Sequence, residues 1–283
     1  MPLVSRSPAS GGRFFMMFKH NHAVTKGAVL APRRMPRVMA CALAVLLACG
    51  VAPVQAQPLS GQSTDAAAHA APAQPLTKQE GDLFIYVTRD NANTVRRLLE
   101  QGANPNVRDQ NGQTPMTLAL QLGSLNAFDA LMASAQTNVE FRNSRDESPL
   151  MFAAIRGHLD AVTRLIRQGA HVNKTLWSPL HYAAAGGGEQ QLEIARLLLA
   201  KDAYIDPRSP NDTTPLMMAA QYGSDAMVKL LLEAGADPTM TNQLGLTAAD
   251  FAARVGRDTL ARQLNDSAAQ LQQQRDQPRK MTR

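Results

Sequence analysis

The sequence predicts an all-α fold, a solenoid of stacked helix-turn-helix units joined by β-hairpin-like fingers. Three observations carry that prediction. A hydroxyl residue followed by a helix-starting pair recurs at Thr114-Pro115, Ser148-Pro149, Ser178-Pro179, Thr214-Pro215 and Thr247-Ala248, at spacings of 34, 30, 36 and 33 residues. A period of that size marks a chain of stacked units. Small residues follow each start at fixed distance (Ala119, Ala153-Ala154, Ala183-Ala184, Ala219-Ala220 and Ala252-Ala253), and an aliphatic-rich second segment follows those, as at Leu165-Ile166, Leu198-Leu199 and Leu230-Leu231.

In chain order, residues 1–56 read as a secretory signal peptide. They hold seven of the 29 Lys and Arg residues and no Asp or Glu, and an uncharged stretch from Val38 to Val51 follows Arg33, Arg34 and Arg37. A basic flank, a short apolar centre and the small residues Val54 and Ala56 before Gln57 are the components of an export signal, and the apolar stretch is too short to span a bilayer. Leu46-Leu47-Ala48-Cys49 offers a second reading, a lipid anchor on Cys49, and Met35 or Met39 a later start. The whole chain is basic, with net charge +6 and an isoelectric point near 9.6, yet the residues after 56 carry 22 bases against 23 acids. The basicity therefore belongs to the export segment and gives no case for nucleic acid. Residues 57–77 read as a disordered linker: from Gln57 to Pro75 the chain is rich in Pro, Gln, Ser and Ala with one large aliphatic residue, Leu59. Residues 265–283 read as a flexible tail that begins as a helical extension.

Residues 78–264 hold about six units including caps. In each unit Ser or Thr serves as helix N-cap, its oxygen accepting a free backbone N–H, and Pro at the next position sacrifices no hydrogen bond. A turn glycine (Gly123, Gly157, Gly187, Gly223 or Gly256) separates the two helices, and Gly102, Gly169 and Gly235 stand where a left-handed residue ends the second. The polar finger follows. One finger is short, with nine steps from Gly169 to Ser178 against twelve from Gly102 to Thr114. The next unit is correspondingly long, with an insertion at residues 186–191, and has Asp202 in place of the closing glycine.

These residues give the chain a family resemblance: residues 78–264 resemble an ankyrin-repeat array, of exported bacterial type. The best-matching units are residues 148–173, 178–203 and 214–237, where Ser-Pro-Leu-His at 178–181 and the Gly-Ala pairs match the family pattern. The first unit lacks the Thr-Pro opening and the last lacks the closing Gly-Ala, as caps require. The resemblance implies that His181 hydrogen-bonds between backbone segments, that His158 is a framework residue of the Gly-His turn, and that residues after each Ala pair face a concave groove.

No catalytic constellation stands in the sequence: neither a phosphate-binding glycine loop, nor a zinc-protease helix, nor a nucleophile elbow. Asp146-Glu147 reads as a solvated finger. His158, His171 and His181 lack paired ligand spacing. The expectation is a chain without enzymatic activity, cofactor or metal, monomeric, without a membrane span, and located in the periplasm, with secretion or lipid anchoring as alternatives. What remains is a surface for a protein partner. Tyr, Trp and Arg concentrate binding energy at interfaces, and the candidates are Trp177, Arg156 and Tyr222, with Arg145 and Tyr182 beside them. Two functions use that surface: a scaffold that holds its partner, or an exported effector or inhibitor that blocks a target enzyme.

Overall fold

A computed structural model describes residues 75–277, and the helices start where the hydroxyl residues place them. Twelve α-helices form six pairs among these residues: α1 (Lys78–Thr88) with α2 (Ala92–Glu100), α3 (Pro115–Leu122) with α4 (Leu125–Met132), α5 (Pro149–Arg156) with α6 (Leu159–Arg167), α7 (Pro179–Ala184) with α8 (Glu189–Leu199), α9 (Pro215–Tyr222) with α10 (Asp225–Glu233), and α11 (Ala248–Arg254) with α12 (Asp258–Asp276). Thr114, Ser148, Ser178, Thr214 and Thr247 are N-caps, each in extended backbone and each part of a reciprocal capping box. The first helix has the same device without proline: Thr77 caps it and Glu80 returns the bond to the Thr77 N–H at 2.8 Å.

The first helix of each pair stacks on the first helices of its neighbours, and this layer is the core. In α5 every residue from Pro149 to Ala154 is buried, so the helix tolerates small and apolar residues on all sides. The second helices bury a single stripe, in α6 Ala161, Val162 and Leu165, and present charge on the remainder. Leu150, Leu180 and Leu216 recur at the same position in three units and are almost wholly buried. Each such side chain contributes roughly 1.5–3 kcal/mol of transfer free energy.

Two glycine positions have distinct causes. Gly102, Gly169 and Gly235 have φ between +91° and +95° after the second helices, and Asp202 takes the equivalent place with φ +61°. Gly223 is a matter of space: a Cβ there would stand 2.4 Å from the Ala184 carbonyl oxygen and 2.9 Å from Ala219 Cα.

The expectation of β-hairpin-like fingers is overturned: no strand is present among the described residues. The reason is in the hydrogen bonds. Each full-length finger is closed at its tip by two backbone bonds, in the first Asp109 N–H to the Gln113 carbonyl and Gly112 N–H to the Asp109 carbonyl, with the same pair at Asn143, Ser209 and Asn242, and no ladder runs beyond them. Side chains take the donors that a ladder needs. Asp109 Oδ1 accepts from the Asn111 and Gln113 N–H groups, Asn143 Oδ1 from Arg145 and Glu147, and Asn242 Oδ1 from Leu244 and Leu246. Pro105, Pro207 and Pro210 have no N–H to give. The proposed export segment of residues 1–56, Cys49, and the linker as far as residue 74 lie outside the described residues. At the other end α12 continues to Asp276, and Arg275 Nη2 reaches the Asp237 carboxylate at 2.8 Å.

Candidate functional site

Of the candidate binding residues, Arg145 and Tyr182 are brought together through Glu147, Trp177 stands in a finger, and Arg156 and Tyr222 stand at the opposite, C-terminal ends of α5 and α9. At each finger tip, two residues before the N-cap, the backbone is left-handed: Gly112, Asp146, Leu176, Asp212 and Gly245 have φ of +73°, +61°, +65°, +61° and +72°. The turn aims the following residue back toward the stack, which is how Glu147 becomes buried.

Glu147 is the centre of a polar cluster. One carboxylate oxygen accepts the Tyr182 hydroxyl at 2.6 Å; the other accepts Asn143 Nδ2 at 2.6 Å and Arg145 Nε at 3.1 Å. Arg145 and Tyr182, both candidate residues, are thereby joined through a carboxylate that is only 6% exposed. Burial, and then the Glu147 charge, raises the Tyr182 hydroxyl well above the ordinary tyrosine range. The Asp146-Glu147 pair is therefore no solvated finger. Beside it, Asp146 is paired with Lys174 and, at 3.1 Å, with Arg142, which also binds Glu140 at 2.7 Å. These cations hold the Asp146 carboxyl below its usual range against the opposing pull of its own burial. Lys174 is a participant with no sequence signal of its own: its side chain is 3% exposed because the shortened finger turns it inward.

Trp177 is half-buried against the core, its ring edge-on to His181 with centroids 5.2 Å apart and planes at 73°. Arg156 and Tyr222 close α5 and α9, both partly buried, and Tyr222 packs on the core. Arg145 is the most open of those with a resolved pairing, its side chain 43% exposed.

Two profiles of ankyrin repeats match this chain. One, describing three copies, matches residues 74–143 and 135–211; the other, describing many copies, matches residues 203–252. The chain belongs to the ankyrin-repeat family. It is similar to the ankyrin repeat and KH domain-containing protein mask-1 of Caenorhabditis elegans, 31% identical over 59% of this chain and 6% of that protein. It is also similar to the B-cell lymphoma 3 protein homolog of Mus musculus, 30% identical over 56% of this chain and 37% of that one. The chain thus spans a minor part of the curated relatives it matches. Among solved structures it resembles a chain of the Bd0816 predatory endopeptidase from Bdellovibrio bacteriovorus in complex with immunity protein Bd3460. The TM-score is 0.56 and the identity 25%, covering 68% of this chain and 99% of that one.

Among the described histidines, His181 is a framework residue. His181 Nδ1 accepts the Ser178 N–H at 3.1 Å and its Nε2 donates to the Thr213 carbonyl at 2.9 Å, linking two units. Burial lowers its pKa to about 4, so the ring is neutral. His158 stands before α6 and is lowered by burial and by the Arg156 cation, while His171 is exposed with Nδ1 3.6 Å from Glu140. Among the described residues no three His, Cys, Asp or Glu side chains are grouped to hold a metal ion, and no helix is long and apolar enough to cross a membrane.

Proposed function

We propose that this chain is exported to the periplasm as a precursor, loses residues 1–56, and acts there as a monomer that binds and blocks an endopeptidase through its finger tips and first-helix ends. The observation that carries the reading is the likeness, over 99% of its length, to a chain of a solved endopeptidase–immunity protein complex. Blocking is favoured over scaffolding on that ground, because that chain comes from a complex of an endopeptidase with an immunity protein. The surface has the make-up that blocking requires. Trp177, Arg156, Tyr222, Arg145 and Tyr182 are the residue types that dominate interface energetics, and all but Arg156 are seen held by packing or by a shared carboxylate, so little of their side-chain freedom remains to be lost on binding.

The test uses purified residues 57–283 and each endopeptidase exported by the source organism. Titration should abolish the activity of one enzyme near one equivalent. A complex that forms while activity stays level or rises identifies a scaffold. Intact mass of the protein recovered from periplasm, beginning at Gln57 or at a lipidated Cys49, decides the export route.

A further inference from the structure

The base of each finger carries a joint to the next helix pair, and one of these joints contains a group that does not match its place. At the first, Asn106 reaches the end of the following pair. Its Oδ1 accepts the Asn138 N–H at 2.8 Å, and its Nδ2 donates to the carbonyl of Gln136, two residues earlier, at 2.7 Å. Asn173 repeats this at the third joint, with the Tyr204 N–H at 2.8 Å and the Asp202 carbonyl at 2.7 Å, again two residues apart. A side-chain amide suits the place because it has one acceptor and one donor side, and the backbone opposite offers the complement of each.

Two joints hold a carboxylate instead. At the second, Glu140 Oε2 accepts the His171 N–H at 3.1 Å, and Oε1 is met by Arg142 Nε and Nη2 at 3.0 and 2.7 Å. Both of its oxygens are therefore answered. The fourth joint runs from the finger after α8 to the end of α10 and holds Asp206. Its Oδ2 accepts the Asp237 N–H at 3.0 Å, whereas Oδ1 is sealed from solvent and has no hydrogen-bond partner among the described residues. Arg208 stands two residues after Asp206, as Arg142 does after Glu140, but its ion pair is with Asp212, at 3.5 Å.

Aspartate has the shape of asparagine with a second acceptor where the amide has its donor. Asp206 Oδ1 thus takes the part that Nδ2 plays in Asn106 and Asn173, and the carbonyl two residues before Asp237 is that of Gly235. Two acceptors cannot bond without a proton between them. We propose that Asp206 is a proton-operated joint: ionised, it ties the fourth and fifth helix pairs by one bond; protonated, it also donates to the Gly235 carbonyl and restores the two-bond joint of Asn106 and Asn173. A mildly acidic medium stiffens the stack at this point and a neutral one loosens it, whether or not the chain blocks an enzyme.

The surrounding groups act in the same sense. Burial raises the Asp206 carboxyl above its ordinary 3.8 and the nearby Asp237 carboxylate adds to this, while the Asp237 N–H and the Arg208 cation oppose them without prevailing. Arg275 of α12 binds Asp237 at 2.8 Å, and His181, against the Pro207 carbonyl of the same finger, has a pKa of about 4. Because the folded chain takes up the Asp206 proton before the unfolded chain does, the weakness of this joint is complete above the folded-state pKa and disappears as pH falls through it to 3.8.

Asp206→Asn fixes the joint in its two-bond form at every pH. At about pH 7.5 its Tm should exceed that of the unaltered chain by about 2–4 °C, and exchange of the Asp237 amide should slow by about threefold to tenfold. Both differences should shrink as the two proteins are compared at pH values falling toward about 4; titration of His181 is common to both and cancels. No gain in Tm at about pH 7.5 overturns the joint. A gain of the same size at about pH 4 overturns it as well, because asparagine is then preferred for a reason other than the proton. The carboxyl carbon shift of Asp206, followed by NMR against pH in the unaltered chain, gives a check that needs no variant: a midpoint at or below 3.8 overturns the joint.

Discussion

Acid should loosen this array in measurable part through one buried imidazole. His181 is fully buried, with Nδ1 accepting a backbone N–H and Nε2 donating to the Thr213 carbonyl, and its pKa falls from 6.5 to about 4. The depression means that the unfolded chain binds a proton before the folded one does, so this contribution is fully present above pH 6.5 and is lost as pH falls toward 4. From linkage, the loss is ~1.4 kcal/mol at pH 5.5 and ~3 kcal/mol at pH 4. The substitution that isolates it is His181→Met, because Met151 and Met217 hold the same position in adjacent units, each with sulfur near the N-cap N–H. His181→Met loses the bond to Thr213 and should cost about 1–3 kcal/mol at neutral pH, the penalty of an unmet buried acceptor. Its disadvantage should then shrink on acidification, until the two proteins have nearly equal stability around pH 4. Urea midpoints of both proteins at several pH values between 7 and 4 measure the difference directly, and carboxylate titrations common to both cancel. Parallel pH profiles would refute the argument and place the acid sensitivity elsewhere.

Other expectations follow from close contacts. Gly223→Ala sets a methyl against the Ala184 carbonyl and Ala219 Cα and should cost about 1–3 kcal/mol as overpacking against backbone that cannot yield. Gly187→Ala, whose nearest contact is the Tyr222 carbonyl oxygen at 3.9 Å, should stay within about 0.5 kcal/mol in the same thermal melt. Arg257 Nη1 meets the carbonyls of Ala219, Ala220 and Gly223 at 3.0, 2.7 and 3.1 Å. Arg257→Ala should therefore cost about 1.5–3 kcal/mol and speed hydrogen exchange in α11 and α12 while α3 to α6 keep their protection; exchange unaltered in α11 and α12 would contradict this.

Much of the stack could be read from the residues because its determinants are local. An N-cap hydroxyl, a proline after it and a pair of alanines act within one turn of helix, so five of the six helix pairs announce themselves. The first pair is signalled more quietly, by Thr77 and Glu80 three residues apart. The fingers misled because an extended polar segment looks the same whether its donors meet a neighbouring strand or its own aspartate and asparagine side chains. Glu147 misled for another reason. Its burial is completed by Tyr182, 35 residues later, and by a finger turn that points it inward. The run of α12 through Asp276 is equally non-local, since Arg275 is tied to Asp237 in the preceding unit. Of the candidate residues, Arg145 and Tyr182 were chosen for their type; that they share one carboxylate is visible only in three dimensions.

Arg257 has a counterpart in Gln191, whose Nε2 donates to the Ile155 carbonyl at 2.9 Å. In both cases the open end of a first helix is stoppered by a side chain belonging to the unit made next. The chain therefore has a direction beyond that of its covalent bonds. During synthesis, α5 and α9 leave the ribosome with their last carbonyls uncovered and wait more than thirty residues for the group that covers them. Ending the protein before Gln191 or before Arg257 exposes such an end, whereas removing units from the other side leaves both stoppers with the helices they cover.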